Sequence, residues 1–241
     1  GRDLDGIHQA MEFLPWANRV QFGDPVLDED GEPPITAKGK RVVIIGGGVM
    51  GASAAYHLAQ RGLKNILLLE KETHFGTGAT GRCAGGVRYQ FSTEVNVKLS
   101  IQSLPMIERF NEELSQDVSY SKCGYLLVAT NEQEVQEFKH NVAMQNRLGV
   151  QTEFLSGDEV RRRLPLMRFD DAIAGTFNQK DGTVDPNSVV MGYVNAAQKM
   201  GVTALTGVEV IGVTVSGGEV RSVKTNLGEV EARTVLNAAG P

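Results

Sequence analysis

The chain has 241 residues, 41% of them hydrophobic, and a net charge of −5, so it can bury the core of one large domain or two smaller ones. Its acidic balance gives no broad electrostatic case for nucleic acid as a partner, and no apolar run reaches the roughly 20 residues of a membrane span.

Residues 1–39 read as an N-terminal extension and linker. A helix-like stretch around IHQAMEFL comes first, then the acidic, proline- and glycine-rich GDPVLDEDGEPPIT. The basic-then-apolar order of a secretory signal is missing. The chain starts at Gly1 rather than a methionine, as expected of a fragment or a processed product. From Lys40 the texture changes. RVVII is the continuous β-branched run of a strand buried on both faces of a parallel sheet. An alanine-rich helix runs to about Arg61 and is closed by Gly62. NILLLE is a second buried strand and completes a β-α-β unit.

THFGTGATGRCAGGVRYQF holds five glycines and is expected to form no regular element. A helix is expected over residues 93–114, a strand at CGYLLVAT, and an amphipathic helix at EQEVQEFKHNVAMQNRLG. SGDEVRRRLP opens with a capping box from Ser156 to Glu159 and stops at Pro165. Arg161, Arg162 and Arg163 beside Asp158 and Glu159 form a solvated helix face. DPNSVVMGYVNAAQKMG is a helix with Pro186 in its first turn and Gly201 at its close. The tail alternates apolar and polar residues around SGG and NLG turns, an antiparallel meander, and ends in the buried strand TVLNAAG.

Gly46, Gly48 and Gly51 form a G-x-G-x-x-G that follows a strand and opens a helix. Glu70 stands nineteen residues later, at the end of the next strand. The first glycine allows the turn, the second lets a pyrophosphate approach the backbone, and the third lets helix and sheet pack closely. Phosphate then rests on the amides and positive dipole end of the helix. Glu70 would accept hydrogen bonds from ribose hydroxyls and repel a 2′-phosphate, which favours FAD or NAD over NADP. Cys83 and Cys123 show no C-x-x-C or metal-ligand spacing, which suits a reducing, cytoplasmic setting. Cys83 reads as a small buried residue in a crowded loop. None of His8, His57, His74 and His140 is spaced for metal, and no metal is expected.

VVIIGGGVMGASAAYHLAQRG, LLLEK, GATGRCAGGVR, KDGTVDP, VEVIGV and VLNAAGP, in this order over residues 40–241, resemble the flavin oxidoreductases of the D-amino-acid oxidase superfamily, in particular the sarcosine oxidase beta-subunit and glycine oxidase branch. The resemblance implies FAD. It puts Gly46, Gly48 and Gly51 on the pyrophosphate, Glu70 on the ribose and Lys71 near the adenosine. Thr80 would face phosphate, and Gly85 and Gly86 would let the backbone pass close to the isoalloxazine. Val210 falls where the family's backbone meets adenine, and Ala238, Ala239 and Gly240 match the strand end beside the cofactor. Arg88 is the candidate for a substrate carboxylate, with a surface or structural role as its alternative. The implied activity is oxidation of the C–N bond of a small amine or amino acid, such as sarcosine, glycine or proline, by hydride transfer to flavin.

Residues 1–48, with DLDGIHQAMEFLPWANR and PITAKGKRVVIIGGG, instead resemble the small subunit of glutamate synthase, so the chain reads as two flavoprotein-like sequences joined at a shared motif. A glutamate-synthase-like FAD/NAD(P)H electron-transfer module and a non-catalytic FAD-binding fragment are the alternative functions. The expected fold is α/β, a Rossmann-like FAD-binding domain built from residues 40–91 and 183–241. An inserted α+β substrate-side region spans residues 92–182. In the family NAAGP is followed by further sequence that completes the substrate domain, so the chain is expected to be truncated at its C-terminus. Its partners would be a small amine or amino-acid substrate and either a partner subunit or the missing C-terminal half.

Overall fold

In a computed structural model, residues 7–9 and 41–240 are described. They divide into two compact units. Residues 7–9, 41–83 and 186–240 belong to the first, and residues 84–185 form the second.

The first unit is an α/β layer structure around a parallel sheet. Its strands are β1 (Ile7–Gln9), β2 (Val42–Ile45), β3 (Ile66–Leu69), β9 (Thr203–Leu205) and β13 (Thr234–Asn237), in the order β1-β13-β2-β3-β9. Every pairing is parallel. The apolar runs VVII and ILLL are buried because both faces of such a sheet are covered. Helix α1 (Val49–Gln60) turns Ala52, Ala54, Ala55, Leu58 and Ala59 inward. It packs against α6 (Pro186–Lys199), where the Tyr56 and Tyr193 rings lie 5.4 Å apart. The opposite face of the sheet carries Val43, Leu69 and Val235. They form one buried cluster with Val220 and Val223 of the meander β10 (Val210–Ser216), β11 (Glu219–Thr225) and β12 (Gly228–Glu231). Burying each such side chain contributes about 1.5–3 kcal/mol.

At its first three residues the helix-like reading of IHQAMEFL is corrected, because Ile7–Gln9 extend in register with Val235–Asn237. The outer edge of β13 presents a row of backbone donors and acceptors, and an extended segment satisfies them whatever its side-chain spacing. The rest of the expected extension and linker lies outside the described residues.

The second unit holds a three-stranded antiparallel sheet of β5 (Tyr125–Ala129), β7 (Ala174–Asn178) and β6 (Glu153–Ser156), with β7 central. Helix α4 (Glu132–Arg147) covers one face through Val135 and Phe138. Helix α5 (Gly157–Arg163) covers the other through Val160. The Ser156–Glu159 capping box is present in full. The helix expected over 93–114 is two, α2 (Glu94–Glu108) and α3 (Phe110–Leu114), with the break at Arg109 four residues after Pro105. The glycine-rich stretch also contains one short regular piece, β4 (Gly86–Val87), which pairs antiparallel with β8 (Gly182–Thr183). No helix among the described residues is long and apolar enough to cross a membrane.

Candidate functional site

In the first unit the carboxyl ends of β2, β3, β9 and β13 converge on the glycine turn. Ala238 donates its amide to the Ile45 carbonyl at 2.8 Å, Gly46 to Leu69 at 2.8 Å, and Glu70 to Leu205 at 2.9 Å. In an open parallel sheet this edge is where ligands bind.

The three motif glycines have different geometric reasons. Gly46 has φ +103°, and a Cβ there would lie 2.4 Å from the Ala238 carbonyl oxygen. Only glycine fits that turn. A Cβ on Gly51 would meet the Gly46 carbonyl oxygen at 1.9 Å, so Gly51 is what lets α1 close on the turn. Gly48 has ordinary extended angles, φ −78° and ψ −175°. The one heavy atom near its virtual Cβ is Thr80 Oγ1, at 3.1 Å. Space at Gly48 therefore lies open in front of the first turn of α1. The N-cap residue of that helix, Gly48, offers no side-chain cap, and the helix dipole and the leading amides after Val49 favour an anion.

Thr80 is held there by a hydrogen bond, its Oγ1 accepting from the Val49 amide at 3.1 Å. The Glu70 carboxylate accepts from the Gly47 amide at 2.7 Å and from the Glu72 amide at 3.0 Å. It is thereby fixed against the glycine turn at the end of β3. Gly47, which the motif spacing leaves unassigned, is also constrained. A Cβ there would strike the Phe75 ring at 2.4 Å and Glu70 Cβ at 2.9 Å, a contact that the run of three glycines alone hints at. Lys71 is exposed, with Glu72 at 3.9 Å. Val210 opens β10, two residues after Val208, whose amide donates to the Glu70 carbonyl at 2.9 Å. Ala239 donates its amide to Asn237 Oδ1 at 3.2 Å, and Gly240 has φ +84°. Gly46, Gly48, Gly51, Glu70, Thr80 and Ala239 thus gather around one turn, with Lys71 and Val210 at its margin. Cys83 is exposed rather than buried, its Sγ donating to the Thr80 carbonyl at 3.0 Å. The loop turns its small side chain outward. The described residues contain no cluster of metal-ligating side chains.

Gly85, Gly86 and Arg88 belong to the second unit. Gly85 has φ +72° and accepts from the Val184 amide at 2.9 Å. A Cβ on Gly86 would lie 2.5 Å from Tyr125 Oη. The Arg88 guanidinium lies over the Phe91 ring at 4.8 Å. What fixes this segment is a buried network that sequence reasoning missed. The fully buried Asp181 accepts from the Tyr89 amide at 2.7 Å and from Gln90 Nε2 at 2.9 Å. Gln90 Nε2 also donates to the Tyr125 carbonyl at 2.9 Å, and its Oε1 accepts from Thr176 Oγ1 at 2.7 Å. Burial pushes the Asp181 carboxyl above its ordinary range, against the lowering effect of these hydrogen bonds and of Arg88. The acid of KDGTVDP was visible in the sequence, but its partners stand ninety or more positions away.

The chain is 33% identical to rat dimethylglycine dehydrogenase over 209 residues, which cover 86% of this chain and 24% of that one. It resembles the crystal structure of L-proline dehydrogenase from P. horikoshii with a TM-score of 0.76 and 34% identity, over 83% of this chain and 52% of the other. A separate match of 52 residues, 22% of this chain and 11% of the other, is 83% identical to the glutamate synthase [NADPH] small chain of Mycobacterium tuberculosis. The chain thus spans about a quarter to a half of the relatives it matches along most of its length. The family model described as FAD dependent oxidoreductase matches residues 41–241. With a glycine turn, an open helix N-terminus and a strand-end acid at the carboxyl edge of a parallel sheet, the chain belongs to the DAO family of FAD-dependent oxidoreductases.

Proposed function

We propose that this chain is the FAD-binding part of an enzyme that oxidises the C–N bond of a small amine or amino acid, of the sarcosine, glycine or proline kind. The observation that carries the reading is the space at Gly48 in front of the first turn of α1, bounded beside a virtual Cβ by Thr80 Oγ1 at 3.1 Å, which suits a pyrophosphate. Bound FAD would accept a hydride from the carbon beside nitrogen, leaving an imine that water hydrolyses. The chain's own residues hold and orient. Gly46, Gly48 and Gly51 with the start of α1 would take the pyrophosphate, Thr80 would steady that turn, and Glu70 would receive the ribose hydroxyls. Lys71 and the Val210 backbone would flank the adenosine. Gly85, Gly86 and the Ala239-Gly240 strand end would let backbone approach the flavin. Arg88 would pair with a substrate carboxylate. The opposite wall of the substrate site would come from further sequence or from a partner subunit, as the relatives' greater length suggests. The free thiols of Cys83 and Cys123 favour a cytoplasmic location.

Anaerobic flavin bleaching tests this reading. The 241-residue chain should bind FAD yet bleach slowly or not at all with sarcosine, glycine or proline, because positioning of the reacting carbon carries several kcal/mol of the barrier. Completing the chain, or adding its partner subunit, should restore bleaching, and Arg88→Ala should then weaken carboxylate substrates more than simple amines. Rapid bleaching by the chain alone would mean that its substrate wall is already complete. The glutamate synthase match supports a second reading, an electron-transfer module, for which NADPH rather than an amine would bleach the flavin. A non-catalytic FAD-binding fragment would bleach with neither.

A further inference from the structure

We propose that the Tyr125 hydroxyl donates a hydrogen bond to the ring of the bound flavin and favours its reduced state. Gly86 and Tyr125 both belong to the second unit, at the starts of β4 and β5. Gly86 is not in the left-handed region, so its lack of a side chain is a matter of room. A Cβ there would lie 2.5 Å from Tyr125 Oη and 3.2 Å from Cζ. The space that a larger residue would need is filled by the phenol. Tyr125 is held there through its own backbone. It stands opposite Asn178 in the antiparallel pairing of β5 and β7, and its carbonyl accepts from Gln90 Nε2 at 2.9 Å. Gly86 in turn is held by the pairing of β4 with β8.

A phenol has one O–H to donate. Tyr120, in the same unit, gives its hydroxyl to the Lys180 carbonyl at 2.9 Å. Tyr125 Oη makes no hydrogen bond among the described residues. It also keeps access to solvent, because the one fully buried side-chain polar atom without a partner among those residues is Gln145 Oε1. A fixed donor with no acceptor of its own therefore sits against the Gly86 backbone. That backbone is the one which the function proposed above lays beside the flavin, and the choice of acceptor rests on that reading. Two-electron reduction leaves the flavin ring richer in electrons, so its polar atoms become better acceptors. Hydrogen bonds to an ionised acceptor are roughly twice as strong as neutral ones. A donor already in place then favours reduced over oxidised flavin with no reorganisation.

The test is the reduction potential of FAD bound to the full chain, measured without substrate by titrating with dithionite against a dye of known potential. Tyr125→Phe keeps the ring over Gly86 and removes only the hydroxyl. It should weaken binding of reduced FAD about tenfold relative to oxidised FAD, which lowers the potential by about 30 mV for a two-electron couple. Thermal melts should stay unchanged. Replacing the five tyrosines by 3-fluorotyrosine gives a second readout. The ¹⁹F resonance of Tyr125, assigned by its loss in Tyr125→Phe, should shift when FAD is added and again when the flavin is reduced. An unchanged or higher potential in Tyr125→Phe would overturn the assignment, and so would a Tyr125 resonance indifferent to FAD and to its reduction. A chain that retains no FAD would overturn the flavin reading as well. Flavin absorbance before reduction tells the two failures apart.

Discussion

Replacing Gly48 by valine separates cofactor binding from folding. Its φ of −78° is open to any residue, so no left-handed strain arises. The nearest atom to the new Cβ is Thr80 Oγ1 at 3.1 Å, the end of a rotatable side chain. If Thr80 swings away, its hydrogen bond to the Val49 amide is lost, at a cost of about 1 kcal/mol. For a domain of this size that lowers Tm by roughly 2–4 °C. The cofactor loses far more. The branched side chain stands where the pyrophosphate would lie, and hydrogen bonds to a charged group contribute about 1.5–3 kcal/mol each. Two such losses reduce FAD affinity at least about a hundredfold, or roughly 2.8 kcal/mol. Gly51→Ala is the contrast: its Cβ would lie 1.9 Å from the Gly46 carbonyl oxygen, so both fold and flavin should be lost. The assay is bound-flavin absorbance and FAD titration beside circular-dichroism melts. A folded Gly48→Val protein with normal flavin content would refute the cradle, and an unfolded one would refute the claim that the space at Gly48 is open.

Three further outcomes are expected. Glu70→Gln turns an amide nitrogen toward the Gly47 or the Glu72 donor; FAD affinity should fall about tenfold in a flavin titration. Deleting residues 1–9 strips β1 from β13; Tm should fall by roughly 2–4 °C for each kcal/mol of edge pairing lost, while FAD affinity stays within about tenfold. Asp181→Asn sets an amide nitrogen against the Tyr89 amide or Gln90 Nε2 and should cost about 1–3 kcal/mol in urea melts. Because burial raises the folded-state pKa of Asp181, the native state binds more protons than the unfolded one between the ordinary and the raised value. This contribution is therefore present below about pH 3.9 and is lost as pH rises through the raised pKa. The stability advantage of the wild type over Asp181→Asn should accordingly shrink with rising pH across that window.

The β2-α1-β3 unit was legible because its signals are local: unbroken apolar strands, an alanine-rich helix and glycines at the junction. The capping box at Ser156 and the terminal meander were legible for the same reason. β1 was not, since three residues on a sheet edge follow the partner strand rather than their own periodicity. β7, reading AGTFN, shows little alternation and owes its strand to central pairing with β5 and β6. At the site, the motif spacing carried Gly46, Gly48, Gly51 and Glu70. The Phe75 contact over Gly47 and the network of Asp181, Gln90 and Thr176 depend on residues brought together by folding, which no local pattern announces.

The neighbour of β2 on one side is β13, and the turn at Gly46 closes against Ala238. Those two residues are 192 positions apart in the chain. At a synthesis rate of about 5–20 residues per second, Gly46 leaves the ribosome roughly 10–40 s before its counterpart. During that interval β2 has one open edge and the glycine turn has no floor. The cradle is therefore completed after translation has passed residue 238, and flavin can be captured only by a finished sheet. A nascent chain arrested upstream of β13 would hold the whole fingerprint in its sequence and still be colourless.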